Sequence, residues 1–446
     1  MNLSLLCDFY ELTMSNGYFK SPYKDQIAYF EVFFRKAPDN GAFAVFAGLE
    51  QIISFIQNLH FNKDDIAFLK EQNLFCDEFL SYLENFKFQG DVYSCKEGEI
   101  IFANEPILTI KANILQAQLL ETFILLTLNH QCLISTKARR IKYACKDKIL
   151  LEFGSRRAHG VDSAINGARA AFIGGSDKTS CTLSAKINQI PPSGTMAHSW
   201  VQMFDDEFEA FDEFLKTYPT NPILLIDTYD TNKGLENAIK AFKKHNIKNG
   251  AIRIDSGNLE KTSKKLREKL DQNNLKDCKI IASGSLDEFI IEKLQNSPID
   301  AFGVGEKLIT SSSDPVFGCV YKLVAIKENI TPKIKISENK DKTTTPYPKK
   351  IYRIYENNKA IKDEIYAIDE DVNLNQTHKE LLVPIFENGK LVYKLPSLKQ
   401  TKTYLKEQLS SLDEELLKLK PKKKYKIILS KKLKEIKKDL LRKNSF

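Results

Sequence analysis

Residues 221–258 read NPILLIDTYDTNKGLENAIKAFKKHNIKNGAIRIDSGN, and this stretch decides the fold of the central part of the chain. Two short apolar runs, at 222–227 and 251–254, each end in polar or glycine-rich residues, and an amphipathic helical pattern lies between them. That alternation is typical of a strand–helix–strand unit whose two strands lie parallel in one sheet. The stretch therefore predicts an α/β fold with its ligand site at the carboxyl ends of the strands.

The same alternation continues on both sides of this unit. Further short apolar runs lie at 148–153, 279–282 and 300–304, and the amphipathic segment SLDEFIIEKLQN lies between the last two. Several such units in one domain predict an α/β barrel or a doubly wound sheet. We expect this catalytic domain to span residues 131–325.

The two flanking regions mix helical and strand patterns. In the N-terminal domain, 1–130, LCDFYELTMSNGYF and NILQAQLLETFILLTLNHQ predict helices, and IAYFEVFFRK predicts a strand. In the C-terminal domain, 326–446, KIYRIYE and LLVPIFENGKLVYKLP predict strands, and two charged helices follow. The strand signals on either side of the Lys/Thr/Pro-rich segment near 332–350 favour a long hairpin.

Bulk properties exclude several classes of protein. The chain has 446 residues and eight cysteines, which form no CxxC pair and no cluster with histidines. That spacing predicts neither a zinc site nor a disulfide framework, and we expect free thiols in a reducing cytoplasm. The sequence contains no apolar run long enough to span a membrane, and its N-terminus does not have the pattern of a signal peptide.

The net charge of +8 comes from one end of the chain. Residues 418–446 hold thirteen Lys and Arg and two acids, so the rest of the chain is slightly acidic. A basic tail can bind nucleic acid non-specifically. The segment also places Leu429, Leu433, Ile436 and Leu440 on one helical stripe, which favours an amphipathic helix packed on the protein.

Polar residues cluster where the predicted strands end. The clusters are GSRRAHG (154–160), GGSD (174–177), SGTMAHSW (193–200), DTYDTNKG (227–234), DSGN (255–258), SGSLDE (283–288) and GVGE (303–306). If the strands are parallel, these clusters meet on one rim. Arginines and glycine-rich turns bind phosphate, and carboxylates bind Mg²⁺ or ribose hydroxyls. The set points to a phosphorylated sugar with magnesium, and no GxxxxGK[ST] nucleotide loop is present.

An ordered set of motifs resembles the nicotinate phosphoribosyltransferase family. The motifs are CDFYELTM, FEVFFRKAP, ISTKARR, EFGSRRAHG, IGGSDKTS, GTMAHSW, LLIDTYDT, IRIDSGNL and FGCVYKLV. The resemblance implies a type II phosphoribosyltransferase fold: an N-terminal open-faced α/β sandwich, an irregular α/β barrel, and a C-terminal hairpin and helices that pack back on the N-terminal domain. It also implies a homodimer with shared active sites, and ATP-coupled synthesis of nicotinate mononucleotide from nicotinate and 5-phosphoribosyl diphosphate with Mg²⁺.

The resemblance also assigns roles to residues. It makes His198 the residue that ATP phosphorylates, with Asp227 and Asp255 as catalytic carboxylates, either of which can hold Mg²⁺. Asp227 can instead orient His198. The residues implied to bind nicotinate are Tyr10 (from the partner subunit), Phe153, Arg156, Asp177 and Thr195. Those implied to bind 5-phosphoribosyl diphosphate are Arg253, Ser283, Gly284, Gly303, Gly305, Thr310 and Lys322. One departure is Glu306, since many relatives have threonine there and a carboxylate repels phosphate.

Three alternatives remain open at this point. A nicotinamide phosphoribosyltransferase differs only in how one substrate group is recognised, and the residues alone do not separate it from a nicotinate enzyme. A quinolinate phosphoribosyltransferase is disfavoured, because it needs no ATP and hence no phosphorylated histidine. A nucleic-acid-binding protein that acts through the basic tail belongs to a different class.

Overall fold

The computed structural model describes residues 2–339 and 342–444. Its helices are α1 (Phe9–Phe19), α2 (Leu49–Asn58), α3 (Lys63–Glu71), α4 (Asp77–Glu84), α5 (Ile114–Gln118), α6 (Glu121–Cys145), α7 (Val161–Gly174), α8 (Thr182–Asn188), α9 (His198–Gln202), α10 (Glu207–Thr217), α11 (Thr231–Lys244), α12 (Leu259–Gln272), α13 (Glu288–Lys293), α14 (Glu306–Ile309), α15 (Leu398–Ser411), α16 (Glu414–Leu417) and α17 (Lys431–Asn444), with 3₁₀ turns at Pro38–Asn40 and Ser155–Arg157.

Its strands are β1 (Ile27–Phe33), β2 (Ala44–Val45), β3 (Asp91–Ser94), β4 (Ile100–Ile101), β5 (Leu108–Asn113), β6 (Ile149–Glu152), β7 (Lys178–Thr179), β8 (Ile223–Leu225), β9 (Ala251–Ile254), β10 (Lys279–Ala282), β11 (Ala301–Val304), β12 (Val320–Ile326), β13 (Thr331–Pro332), β14 (Lys349–Glu356), β15 (Lys359–Ala367), β16 (His378–Glu380), β17 (Val383–Glu387), β18 (Lys390–Leu391) and β19 (Lys426–Leu429).

The chain divides into two compact units. The first unit joins Met1–Leu133 to Val316–Phe446, and the second unit is Ile134–Pro315. The first unit therefore contains residues of both predicted flanking domains. The predicted boundaries at 130/131 and 325/326 stay a prediction.

The second unit is built on one parallel sheet. Its strand order is β7-β6-β11-β10-β9-β8, and every neighbouring pair is parallel. Each apolar run that predicts a strand in the sequence forms one of these strands, and α11, α12 and α13 connect β8 through β11 in turn. The predicted α/β fold class is confirmed. Because the strands are parallel, the loops that follow them share one edge of the sheet.

The first unit is built on antiparallel strands and helices. Its largest sheet has the order β13-β12-β1-β5-β3-β17-β18, a second sheet has the order β16-β14-β15-β19, and β2 pairs with β4. Strand β1 lies inside the large sheet between β12 and β5, and its middle residues are buried on both faces. The helices and strands predicted from the flanking sequences are present, but their apolar helix near 113–131 is divided into α5 and α6.

Buried ion pairs connect the two ends of the chain inside the first unit. The guanidinium of Arg353 is fully buried and donates from Nε and Nη2 to the two carboxylate oxygens of Asp363, at 2.9 and 2.7 Å. Its Nη1 donates to Glu99 Oε1 at 2.8 Å. Lys349 Nζ donates to Glu31 Oε2 at 2.6 Å, and both side chains are buried. A buried charge that loses its partner destabilises a protein strongly, so these pairs require both halves of the first unit.

The basic tail is part of the folded first unit. Strand β19 pairs in parallel with β15, and Leu433 of α17 is completely buried. Leu429 and Ile436 pack against the same apolar core. The predicted apolar stripe thus packs inward, except that Leu429 belongs to β19 and the helix begins only at Lys431.

The long hairpin predicted across 332–350 is wrong. Lys335 and Thr344 exchange hydrogen bonds across this segment. However, β13 before it pairs with β12, and β14 after it pairs with β15, so the two flanks join different sheets. The C-terminal hairpin is formed by β14 and β15 instead, because Asn357 and Asn358 between them adopt the positive φ values that suit a two-residue turn.

The eight cysteines are free thiols, and six of them are buried. None of the helices in residues 2–339 and 342–444 is long and apolar enough to cross a lipid bilayer.

Candidate active site

The carboxyl ends of β6 and β11 place an aromatic ring on the rim of the second unit. Phe153 follows β6, and its backbone N–H donates to the carbonyl of Val304 in β11 at 2.8 Å. A Cβ on Gly303 would lie 2.5 Å from Cδ2 of the Phe153 ring and 3.3 Å from Ser283 Cβ. A Cβ on Gly305 would lie 3.0 Å from the Phe153 carbonyl oxygen. The glycines of the GVG turn therefore make room for Phe153.

A buried carboxylate fixes the turn that carries this ring. Glu152, the last residue of β6, accepts a 2.5 Å hydrogen bond from Thr179 Oγ1, and its other oxygen accepts from the backbone N–H of Gly154. Burial raises the pKa of Glu152, and the bond from Thr179 opposes that rise. No role was predicted for Glu152, although a lone acid near the end of the apolar run KILLEF is a signal for one.

The loops after β8, β9 and β10 contact one another. Gly284 has φ +91°, and a Cβ there would lie only 2.0 Å from the carbonyl oxygen of Asp255. Asp227 Oδ2 accepts from the backbone N–H of Asp255 at 2.7 Å and from Ser256 Oγ at 2.9 Å. Asp227 Oδ1 is buried and has no hydrogen-bond partner among the residues that the structure describes. One oxygen of Asp227 thus holds the loop after β9, and the other makes no hydrogen bond to the described residues.

Arg253 holds the segment that leads to His198. Its Nη1 donates to Thr195 Oγ1 at 3.1 Å and its Nη2 to the carbonyl of Met196 at 2.8 Å. Burial lowers the pKa of Arg253, while the charge of Asp255 opposes that change. His198 is the first residue of α9, and its Nδ1 lies 3.1 Å from Thr228 Oγ1. The structure therefore gives His198 a hydroxyl partner, where the sequence analysis offered the carboxylate of Asp227.

Asp177 does not belong to this rim. Its Oδ2 accepts from the backbone N–H of Leu150, near the start of β6, at 2.9 Å and from Lys142 Nζ at 3.0 Å. GGSD (174–177) was predicted to follow a strand, but it begins at the last residue of α7 and ends just before β7. The expected contact between Asp177 and the base is therefore not supported by the geometry.

The remaining predicted residues of the second unit lie close to the rim. Arg156 is exposed in the 3₁₀ turn that follows Phe153, and its charge acts on Arg253. Thr310 ends α14, and its hydroxyl donates to the Glu306 carbonyl at 2.7 Å. The side chain of Glu306 is exposed.

Tyr10 and Lys322 belong to the first unit. Tyr10 lies on α1 and is 44% exposed, and burial, followed by the charge of Glu121, raises the pKa of its phenol. Lys322 lies on β12 opposite Glu31 in β1, and its charge opposes the rise in the pKa of Glu121 that burial causes. Glu121 thus lies within electrostatic reach of both predicted residues.

The described part of the chain contains no complete metal site. Within residues 2–339 and 342–444, no three side chains of the histidine, cysteine, aspartate or glutamate type converge in a way that could hold a metal ion. A divalent ion on this rim would need oxygens from a bound substrate as well.

Comparison with known folds places the chain in a class. Its fold matches the crystal structure of human nicotinic acid phosphoribosyltransferase with a TM-score of 0.85, at 24% identity and over 97% of this chain and 99% of the other. The protein therefore has a phosphoribosyltransferase fold, with the glycine turns, arginines and acids of its second unit gathered at one edge of a parallel sheet.

Sequence comparison identifies the family. Models of the N-terminal domain, the family core and the C-terminal domain of nicotinate phosphoribosyltransferases match residues 5–129, 149–381 and 372–437. The chain belongs to the nicotinate phosphoribosyltransferase family. It is 42% identical to nicotinate phosphoribosyltransferase of Bacillus subtilis, over 96% of this chain and 93% of the relative. It is 37% identical to nicotinate phosphoribosyltransferase pncB2 of Mycobacterium tuberculosis, over 93% of this chain and 88% of the relative.

Proposed function

We propose that the protein transfers the phosphoribosyl group of 5-phosphoribosyl diphosphate to nicotinate and hydrolyses ATP alongside, through phosphorylation of His198. The nicotinate nitrogen attacks C1 of the ribose, the bond from C1 to the diphosphate oxygen breaks, and diphosphate leaves. The products are nicotinate mononucleotide and diphosphate. Family membership and the name of the Bacillus subtilis relative support the transferase reaction.

The single observation that carries the proposal is the rim on which Arg253 donates to the segment before His198 and Asp227 accepts from the backbone of Asp255. A guanidinium binds phosphate oxygens through charge-assisted hydrogen bonds, and carboxylates face developing positive charge at the ribose. In this reaction we expect Phe153 to form one wall for the pyridine ring and the exposed guanidinium of Arg156 to attract the nicotinate carboxylate. Tyr10, supplied by the partner of a homodimer, stacks on the other face.

We further propose that Mg²⁺ binds with the diphosphate. The buried Oδ1 of Asp227 suits a hard cation, because an ionised carboxylate oxygen without a protein partner is costly in a half-buried site. Asp227 and Asp255 are the residues that would hold the ion, together with substrate oxygens. When bound, Mg²⁺ offsets the charge of the leaving diphosphate.

In the proposed ATP reaction, an imidazole nitrogen attacks the γ-phosphorus and ADP leaves with the electrons of the broken P–O bond. Water later hydrolyses the P–N bond, which regenerates His198 and releases phosphate. A neutral imidazole is a good phosphoryl acceptor, and its phosphoramidate is labile.

Turnover assays and labelling test this proposal. We expect product from nicotinate but not from nicotinamide, a rate increase with ATP, and acid-labile, base-stable label from γ-labelled ATP. His198→Ala should fold, lose the label and the ATP-driven increase, and keep weak ATP-independent synthesis. Equal labelling of wild type and His198→Ala would refute the histidine assignment, and a preference for nicotinamide would refute the substrate.

A further inference from the structure

We propose that Thr228, and not Asp227, is the residue that orients His198, and that Asp227 instead holds the 255–256 loop. His198 Nδ1 lies 3.1 Å from Thr228 Oγ1, and both side chains are half-buried. Thr228 lies three residues after the end of β8, on the rim of the sheet. This inference rests on the proposed phosphorylation of His198 and deepens it.

The hydrogen bonds of Asp227 explain why it does not fill this role. Its Oδ2 accepts from both the backbone N–H of Asp255 and the hydroxyl of Ser256. Two donors on one oxygen fix the carboxylate toward the loop after β9. Asp227 and Thr228 are adjacent in sequence, yet they serve two different neighbouring segments.

Arg253 connects the segment before His198 to strand β9. It lies on β9, two residues before Asp255, and its guanidinium donates to Thr195 and to the carbonyl of Met196. The segment that carries His198 is therefore connected to β9 through Arg253 and to β8 through Thr228, while Asp227 connects β8 to β9. The segment that carries His198 is therefore held by hydrogen bonds to both strand ends, and this limits the positions that the imidazole can adopt.

A hydroxyl partner suits a phosphoryl acceptor better than a carboxylate. When Nδ1–H donates to Thr228 Oγ1, Nε2 keeps its lone pair and can attack the γ-phosphorus of ATP. Nε2 forms the new N–P bond and ADP leaves. The proton stays on Nδ1, which continues to donate its hydrogen bond to Thr228 Oγ1. A carboxylate at the same place would favour the doubly protonated ring, which has no lone pair to attack with. Thr228 fixes the ring without that electrostatic bias.

Two substitutions at Thr228 test the role of the hydroxyl. Thr228→Val removes the hydroxyl at nearly constant shape, and Thr228→Ser keeps it. With γ-labelled ATP, we expect Thr228→Val to label His198 roughly five- to tenfold more slowly, as the loss of one oriented hydrogen bond implies, and Thr228→Ser to stay close to wild type. The KM for 5-phosphoribosyl diphosphate should change little. Thr217→Val, at the exposed end of α10, is the matched control and should label normally.

The outcomes separate this proposal from the proposed function. Labelling of Thr228→Val at the wild-type rate, or of Thr228→Ser as slowly as Thr228→Val, would overturn the role of Thr228. If wild type takes no label at all, the ATP reaction itself is refuted. In that case ¹⁵N spectra of the imidazole still test the contact. We expect the Nδ1–H tautomer in wild type and a mixture in Thr228→Val, whereas a change in Asp227→Asn and none in Thr228→Val would assign the role to Asp227.

Discussion

The ring of Phe153 lies directly over the α-carbon of Gly303, where a Cβ would approach Cδ2 and Cε2 of the ring to 2.5 and 2.6 Å. Gly303 was expected to help bind the 5-phosphate. The absence of a side chain at Gly303 also determines where Phe153, the proposed wall of the nicotinate pocket, can lie. A change at Gly303 should therefore affect the base before it affects the sugar phosphate.

We predict that Gly303→Ala raises the KM for nicotinate about tenfold or more and that for 5-phosphoribosyl diphosphate less, because overpacking costs about 1–3 kcal/mol and displaces the ring. Steady-state kinetics with each substrate varied in turn measures both constants. Gly17→Ala is the control, since a Cβ there meets no atom within 4 Å. Equal rises in the two constants would show that Gly303 serves the phosphate instead.

Arg253→Ala should affect two reactions at once. We expect 5-phosphoribosyl diphosphate to bind roughly ten- to a hundredfold more weakly, with a much smaller effect on nicotinate, because a charge-assisted phosphate contact is worth about 1.5–3 kcal/mol. Labelling of His198 should also slow, since Thr195 and Met196 lose their anchor. Calorimetric titrations and γ-labelled ATP measure the two effects. Normal labelling in this variant would show that the anchor is dispensable.

Tyr10→Ala should raise the KM for nicotinate and leave that for 5-phosphoribosyl diphosphate nearly unchanged, since ring stacking contributes about 0.5–1.5 kcal/mol. Tyr10→Phe keeps the ring and is the control. If Tyr10 acts across a dimer, mixing Tyr10→Ala with His198→Ala subunits should give one intact site per heterodimer, with ATP-driven synthesis at the wild-type KM for nicotinate. ATP-driven synthesis that keeps the raised KM of Tyr10→Ala after mixing would indicate that Tyr10 serves its own chain.

The contribution of Glu11 to the stability of the first unit should be lost as the pH rises from about 4.5 to about 7. Burial raises the pKa of Glu11 to about 7, although hydrogen bonds from Thr122 oppose that rise. Because the pKa of Glu11 is higher in the folded state, its protonated form stabilises the fold. That stabilisation is fully present below about pH 4.5 and is lost as the pH rises to about 7 and above. Urea unfolding at pH 5 and pH 8 should show a smaller difference for Glu11→Gln than for wild type. Glu71→Gln, on the surface, should behave as wild type. If Glu11→Gln shows the same difference in the free energy of unfolding between pH 5 and pH 8 as wild type, Glu11 does not cause the pH dependence.

Leu433→Ala should destabilise the first unit by about 2–5 kcal/mol, because it leaves a cavity where a fully buried side chain packs. Leu440→Ala, on the same helix but only half-buried, should cost less. Urea denaturation compares the two variants. Equal, small effects would mean that α17 is attached only loosely and would favour an independent role for the basic tail.

Most of the fold could be predicted because its signals are local. The apolar runs around Leu224, Ile252 and Ile280 are short, are bounded by turns and alternate with amphipathic helices, and this pattern determines parallel strands. The loops that follow such strands meet at one edge, so the proximity of Asp227, Asp255 and Gly284 also follows from the pattern.

Other features depend on contacts that no local pattern encodes. Asp177 lies beside a strand but precedes it, and only the register of β7 against β6 shows that it is at the wrong end. The partner of His198 depends on which of two adjacent polar side chains, Asp227 or Thr228, turns toward the ring. The segment near 332–350 is flanked by two strand signals, but strand pairing across different sheets cannot be derived from them.

The buried pairs of the first unit also constrain how the chain is made. At roughly 5–20 residues per second, the ribosome needs about 15–60 s to add the 318 positions that separate Glu31 from Lys349. During that time the carboxylate of Glu31 has no lysine partner, and β1 lacks its neighbouring strand β12. Ile134–Pro315 is complete before those partners are synthesised. We expect the second unit to fold first during translation, while the earlier N-terminal part of the chain waits for the last residues or is held by a chaperone.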